Sequence, residues 1–371
     1  MKPPSRVALA GSCLALGCAL MLLPLPAAAV DGATGDWGGR RTRLAEAGVE
    51  VALDYTAESF VRDGDEDFTY LGNVDLMVTF DTAKLGAWKG GRFFVYGQNN
   101  HNTGLAARQN LLMSVSNFDA GHFTQLSEYW LEQKVGDAVT LRIGKQDTNR
   151  DFARPRFSGN FINSSFGVLP GSPLPSFPAP ALGTAVLADP APWLGLRAGI
   201  YEGDPEVESF GETAFENGAG LFAIGEVLLR HEVRGREGGE LVLGGCTRTA
   251  GSDRSGVFGV YDLMLYQNPG NRDDPRSVQV FVRGGWSPEQ AGEIGTYAGG
   301  GLTAHGYLGE NNTIGVGAGY AKSDTGDETF VEVFFKWRPV YWFTVEPDVQ
   351  VYDTADGRNP VFVGVRLKLK L

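Results

Sequence analysis

With 44 Asp and Glu against 32 Lys and Arg, this 371-residue chain carries a formal charge of −12. An acidic balance argues against a nucleic-acid partner, which selects clustered basic side chains. Glycine supplies 52 residues, about twice the ~7% average, without the G-X-Y period of collagen.

Residues 1–29, MKPPSRVALAGSCLALGCALMLLPLPAAA, read as a cleaved leader. Lys2 and Arg6 form its basic start, an apolar run follows, and Ala27-Ala28-Ala29 is a small-residue cleavage site. A lipoprotein leader at Cys18 is the weaker alternative, because Ala15 stands where a Leu is expected. Loss of Lys2 and Arg6 leaves 30 basic against 44 acidic residues, or −14. Only Cys246 then remains, which excludes a disulfide framework. No later stretch approaches ~18 consecutive apolar residues, so no transmembrane helix is expected.

Residues 30–48 are expected to form a short N-terminal segment, which a membrane barrel following it would leave on the periplasmic side. Within DWGGRRTRLAEAGVEV a helix is predicted, capped by Asp36 and stopped by a left-handed Gly48. From Val49 onward the period becomes 2. Val49, Val51, Leu53, Tyr55 and Ala57 share one side; Glu50, Asp54, Thr56 and Glu58 share the other. NVDLMVTF, VTLRIG, WLGLRAGIY, SVQVFVRGG and TFVEVFFKW repeat the pattern.

Sixteen such segments are predicted, at 49–61, 69–84, 90–101, 126–136, 138–148, 182–189, 193–203, 221–232, 239–250, 255–267, 276–286, 294–308, 311–323, 328–339, 342–353 and 360–371. Most run about 9–12 residues, the length of a tilted strand across a bilayer. Three fit less well. Segment 221–232 mixes its faces, 294–308 is nearly all glycine and small residues, and Pro347 interrupts 342–353, where a bulge is expected. Connections after even-numbered segments are mostly tight, as at KLGAW, Asp137, 189–192 and 338–341. Those after odd-numbered ones include the long 102–125 and 149–181.

Short turns on one rim and long loops on the other imply an all-β, transmembrane antiparallel β-barrel of about sixteen strands over 49–371. It would carry a short N-terminal helix and a long inward-folded loop at 149–181. A secreted sandwich or β-helix would also alternate. Charge at the lumen position of nearly every strand favours the barrel, as do aromatics near strand ends (Trp88, Trp130, Trp337, Tyr341, Trp342) that suit interfacial girdles. The last segment, VFVGVRLKLKL, is the closing strand: its valines and leucines face lipid, and Arg366, Lys368 and Lys370 face water. Only closure satisfies every backbone group in hydrocarbon.

Several stretches resemble the carbohydrate-selective porin (OprB) family. GDWGGRRTRLAEAGVEVALDYTAE is similar to its N-terminal helix and first strand. EYWLEQKVGDAVTLRIGKQDTNRDF is similar to its fourth and fifth strands. FINSSFG with PGSPLPSFPAPALGTAV resembles its inward loop, and WLGLRAGIYEGDP resembles a following strand. The resemblance runs in order along the mature chain. It implies a sixteen-stranded outer-membrane channel that passes small sugars, typically glucose, by diffusion. Such barrels commonly end in Phe or Trp; this one ends in Leu371, which leaves its signal to the barrel assembly machinery open.

A sugar constriction needs planar hydrogen-bonding groups and a surface for the ring face. The loop at 149–181 offers Asn149, Arg150, Asp151, Arg154 and Arg156. If Gly136-Asp137-Ala138 is a three-residue turn, Val135 faces Val139 and Glu132 lies across from Arg142, with Trp130 and Glu128 on the same side. The candidate constriction is therefore Trp130, Glu132, Arg142, Asn149, Asp151 and Arg154. Arg92, Tyr96, Gln98, Asn100, Arg197 and Arg366 are expected to line the lumen. The plain alternative for each is a solvated wall residue.

No cofactor or metal is expected. The acidic 62–68 loop, with Asp63, Asp65 and Asp67, lacks the glycine and distal Glu of a calcium loop, and the four histidines show no metal spacing. GVGAGY at 315–320 precedes no helix and so is not a phosphate cradle. Passive sugar diffusion competes with a general or cation-preferring pore, suggested by the −14 charge, and with an outer-membrane hydrolase, for which no Ser–His pair is marked. Outer-membrane lipid is the surrounding partner, and a homotrimer is an open alternative to a single barrel.

Overall fold

In a computed structural model the described residues are 32–65, 68–103, 105, 110–216, 218–233, 236–249, 254–268, 271, 274–288 and 293–371. The leader at 1–29 and Asp67 lie outside them. A short helix, α1 (Arg40–Glu46), precedes sixteen strands. These are β1 (Val49–Arg62), β2 (Thr69–Asp81), β3 (Gly91–Asn102), β4 (Phe123–Val135), β5 (Val139–Gln146), β6 (Ala181–Ala191), β7 (Leu194–Glu202) and β8 (Leu221–Val233). They continue as β9 (Arg236–Arg248), β10 (Arg254–Gln267), β11 (Ser277–Trp286), β12 (Ile294–His305), β13 (Thr313–Ser323), β14 (Gly326–Val340), β15 (Phe343–Thr354) and β16 (Val361–Lys370). Each strand pairs antiparallel with its sequence neighbours, and β16 returns to β1 to close the barrel. Every predicted segment corresponds to one strand, its ends within three residues.

α1 is shorter than its motif suggests. Asp36 caps it from outside the first turn, its carboxylate accepting from Thr42 N at 2.8 Å and Thr42 Oγ1 at 2.9 Å. Gly48, at φ 95°, provides the left-handed exit. The connection at KLGAW is longer than a tight turn, running from 82 to 90, and the Asp81 carboxylate accepts Ala83 N and Lys84 N to fold it. Pro347 causes no bulge: it pairs in register with Val365, and the nearby irregularity lies between Trp337 and Val340. A proline removes one donor without adding a residue, so the register survives.

The outer face is apolar. Leu141, Ile143, Leu196, Ile200, Val282, Val331 and Val333 are all exposed on it, a stripe that is stable only against hydrocarbon. Trp88 and Tyr341 are exposed at the rim where β1 begins and β16 ends. Trp130 is no girdle residue; at 3% exposure it points inward.

The inner face divides in two. Lumen positions on β8–β14 include Phe222, Ile224, Leu228, Val242, Phe258, Val260, Phe281, Phe330 and Phe334. They form one core with Met113 and Val115 of the 103–122 connection and with Phe152, Phe161, Phe166 and Leu169 of the 147–180 connection. Segment 221–232 mixes its faces because an inward loop covers its lumen side. The glycines of β12 and β13 serve the same packing. A Cβ at Gly301 would lie 2.5 Å from the Phe161 ring, and one at Gly317 would lie 2.7 Å from Phe161 and 2.8 Å from Phe166. These glycines make a hollow for the loop's phenylalanines.

Candidate functional site

Both long connections enter the barrel because wall carboxylates accept their backbone N–H groups. Glu328 takes Leu112 N and Met113 N at 2.9 and 2.8 Å. Glu332 takes Ile162 N and Asn163 N at 2.6 and 3.2 Å. Glu226 takes Ala153 N at 3.0 Å, and Asp262 takes Arg156 N at 3.0 Å. An ionised carboxylate is an acceptor only, so it matches a run of N–H groups that lack sheet partners. Asn117 N bonds Ile162 O and Ser164 N bonds Ser114 O, joining the two loops.

Across the lumen, β3, β4 and β5 bear the arginine cluster. The turn at 136–138 pairs Val135 with Val139 and sets Glu132 directly across from Arg142. Arg142 donates to Glu132 at 2.7 Å and also binds Asp151, tying the wall to the loop. Arg92 pairs with Glu132 at 2.9 Å. Glu128 accepts from Trp130 Nε1 at 3.2 Å, from Asp147 N at 3.2 Å and from Arg150 Nε at 3.1 Å. The Trp130 indole stacks on Phe94 at 4.8 Å between centroids. The guanidinium carbons of Arg142, Arg92 and Arg150 lie 4.4, 5.5 and 5.9 Å from the indole centroid, within cation–π range.

Exposure separates the roles. Arg142, Glu132 and Trp130 are buried, whereas the Arg92 side chain is 49% exposed and that of Arg150 34%. Trp130 therefore lies beneath two exposed guanidinium groups, those of Arg92 and Arg150, and against the buried Arg142. At the loop's start Asp147 accepts from Ser176 Oγ and Asn149 N. Burial and the neighbouring Glu128 charge push its carboxyl up to about 6.

The predicted residues thus fall into groups. Arg92, Trp130, Glu132, Arg142 and Asp151 come together. Asn149 lies inside the loop, its amide donating to Gly167 O at 3.0 Å. Arg154 is exposed on the loop. Tyr96 and Gln98 join Asp75 on the wall, and Asn100 donates to Phe118 O. Arg197 stands apart, bound to Asp189 at the rim where β1 begins and β16 ends. Arg366 pairs with Glu58 and lies 4.8 Å from the Phe118 ring. Phe94 and the anchoring carboxylates Glu226, Asp262, Glu328 and Glu332 were not anticipated. Phe94 occupies a lumen position of its strand, a signal alternation contains; the carboxylates look like any other wetted wall charge. Among the described residues no group of His, Cys, Asp and Glu could hold a metal.

Comparison with known proteins agrees with this architecture. The high pH structure of Pseudomonas putida OprB superposes with a TM-score of 0.81, at 19% identity, over 94% of this chain and all of that one. Its low pH structure gives 0.68 at 20% identity, over 93% of this chain and all of that one. A mutant of Rh. blastica porin gives 0.57 at 11% identity, over 87% of this chain and all of that one. In sequence, Porin B of Pseudomonas aeruginosa is 29% identical over 189 residues, 46% of this chain. That stretch spans 41% of the relative's length. The model of the carbohydrate-selective porin, OprB family, matches residues 65–250 and 244–371. With nearly the whole barrel so matched, the chain belongs to the carbohydrate-selective porin, OprB, family of outer-membrane proteins.

Proposed function

We propose that the barrel gives passive, sugar-preferring diffusion of small carbohydrates, glucose typical among them, across the outer membrane. The constriction lies between the 147–180 loop and the β3–β5 wall. One observation carries this reading: Arg92 and Arg150 expose planar guanidinium donors over a fixed Phe94–Trp130 base, beside Glu132 and Asp151. Such groups replace water around sugar hydroxyls, and a neutral solute pays little to enter a site whose charges are already paired. Trp130, Glu132, Arg142, Asn149 and Asp151 act as its frame, while Arg92, Arg150 and Arg154 meet the solute. The outer-membrane lipid surrounds the barrel, the barrel assembly machinery inserts it, and a homotrimer is its proposed assembly.

The cation-preferring alternative rests on net charge, but the exposed groups at the proposed constriction are guanidinium ions. A channel rather than a hydrolase also fits the outer wall. Among the described residues, outward His101 bonds Asn99 and His231 bonds Tyr261, neither of them a serine. Planar-bilayer conductance with and without glucose, together with liposome swelling against sugars of matched size, tests the reading. Glucose should reduce the current, and swelling should rank sugars by more than size. A strongly cation-selective current indifferent to glucose would overturn it.

A further inference from the structure

We propose that Glu226 and Arg283 are positioning residues that grip Ala153 from both ends and thereby turn Arg154 toward the opening. The inference rests on the channel reading and extends it to the side of the lumen opposite Arg92. Ala153 is fully buried and has φ 53°, a left-handed conformation that L residues other than Asn and Asp seldom adopt. Such a backbone persists only where its surroundings over-determine it.

Here they do. Glu226 on β8 accepts Ala153 N at 3.0 Å, and Arg283 on β11 donates to Ala153 O at 3.2 Å. The other arm of Arg283 donates to Ser165 O at 3.2 Å, so one guanidinium holds both limbs of the loop. Both side chains are more than nine-tenths buried. Phe152, just before, is buried edge-on against Tyr201. Pro155, just after, is also buried, and a following proline keeps Arg154 extended. Asp262 then takes Arg156 N at 3.0 Å and Phe157 N at 3.4 Å. The stretch 154–155 is thus pinned at both ends, and Arg154 is exposed between buried neighbours. A relaxed φ at Ala153 would redirect the chain and carry that guanidinium elsewhere.

Glu226→Asp keeps the carboxyl group and withdraws it by one carbon, about 1.5 Å, removing the acceptor from Ala153 N. In planar bilayers under a KCl gradient, the full-length protein should show a cation-to-anion permeability ratio raised about twofold, since a fixed positive charge leaves the opening. Arg154→Ala should do the same, and the double variant should show no further rise, because residues acting as a unit are not additive. Arg283→Lys, which keeps charge but loses the fork, should shift the ratio likewise and serves if Glu226→Asp fails to fold. A wild-type ratio in either clip variant, or an effect in the double variant equal to the product of the singles, would overturn the proposal. The measurement uses salt alone. A protein that passes no sugar would therefore sink the diffusion reading while leaving the clip to be judged on its own.

Discussion

Arg92 and Arg142 share a partner, Glu132, yet removing them should have different consequences. Arg142 is buried and bridges Glu132 to Asp151. Arg142→Ala strips a buried carboxylate of its main partner, a change that costs about 3–5 kcal/mol, and removes one of the loop's ties to the wall. Urea unfolding should register that loss, and single-channel conductance should rise. Arg92 is half exposed, so Arg92→Ala should cost no more than about 1 kcal/mol and alter the sugar ranking in liposome swelling. Equal destabilisation by both changes would contradict the division of roles.

Asp147 adds a pH dependence. Its carboxyl is raised to about 6 by burial and by Glu128, while Ser176, Asn149 and Arg150 oppose the shift. A carboxyl raised on folding favours the folded loop at low pH. That contribution is complete below its unfolded value of about 4 and is lost as pH rises through about 6. Hydrogen exchange at Thr148 and Asn149 should therefore be better protected at pH 5 than at pH 8, after correction for intrinsic rates. Asp147→Asn should abolish the difference. The charge alternation that exposed Glu132 and Arg142 in the sequence could not show this environment, because Glu128 and Ser176 meet Asp147 only through the loop's fold.

At the level of elements, the two inward loops and the glycine-rich strands depend on one another. Gly317 on β13 faces Phe161 and Phe166 so closely that a Cβ would stand under 3 Å from both rings. Overpacking of this kind costs about 1–3 kcal/mol. Gly317→Val should drive the rings outward, loosening the grip of Glu332 on Ile162 N and Asn163 N. Increased open-channel current noise would report it, with the barrel still folded. The glycine content of segment 294–308 was evident in the sequence, but its purpose was not. A glycine hollow has meaning only once the aromatic side chains that fill it are known, and these come from more than a hundred residues earlier.

Across the whole molecule, lipid fixes the outer face as firmly as the loops fix the inner one. Val333 lies exposed in the middle of β14. Val333→Arg should cost about 2–4 kcal/mol if that position meets the bilayer midplane, measured by unfolding from lipid vesicles. A change from Glu332 to Gln on the opposite face should leave membrane insertion unaffected. The closing seam adds contacts from the residues around α1: Ala33 N bonds Lys370 O at 2.8 Å, and Arg41 donates to Leu371 O at 2.7 Å.

Strand number, direction and facing were legible in the sequence because a period of two is a local property, and hydrocarbon outside permits almost no exception to it. VFVGVRLKLKL declares its lipid side without reference to any other strand, and the Glu132–Arg142 pair follows from the length of one turn. What only the tertiary structure decided is which half of the lumen stays wet. Phe222, Phe258 and Phe334 look like faults in the alternation until the loops that cover them are in place. Glu226, Asp262, Glu328 and Glu332 look like solvated wall charges until backbone N–H groups reach them. Those assignments depend on where a long connection runs inside a closed tube, which is set by contacts between residues far apart in sequence and so leaves no local period to read.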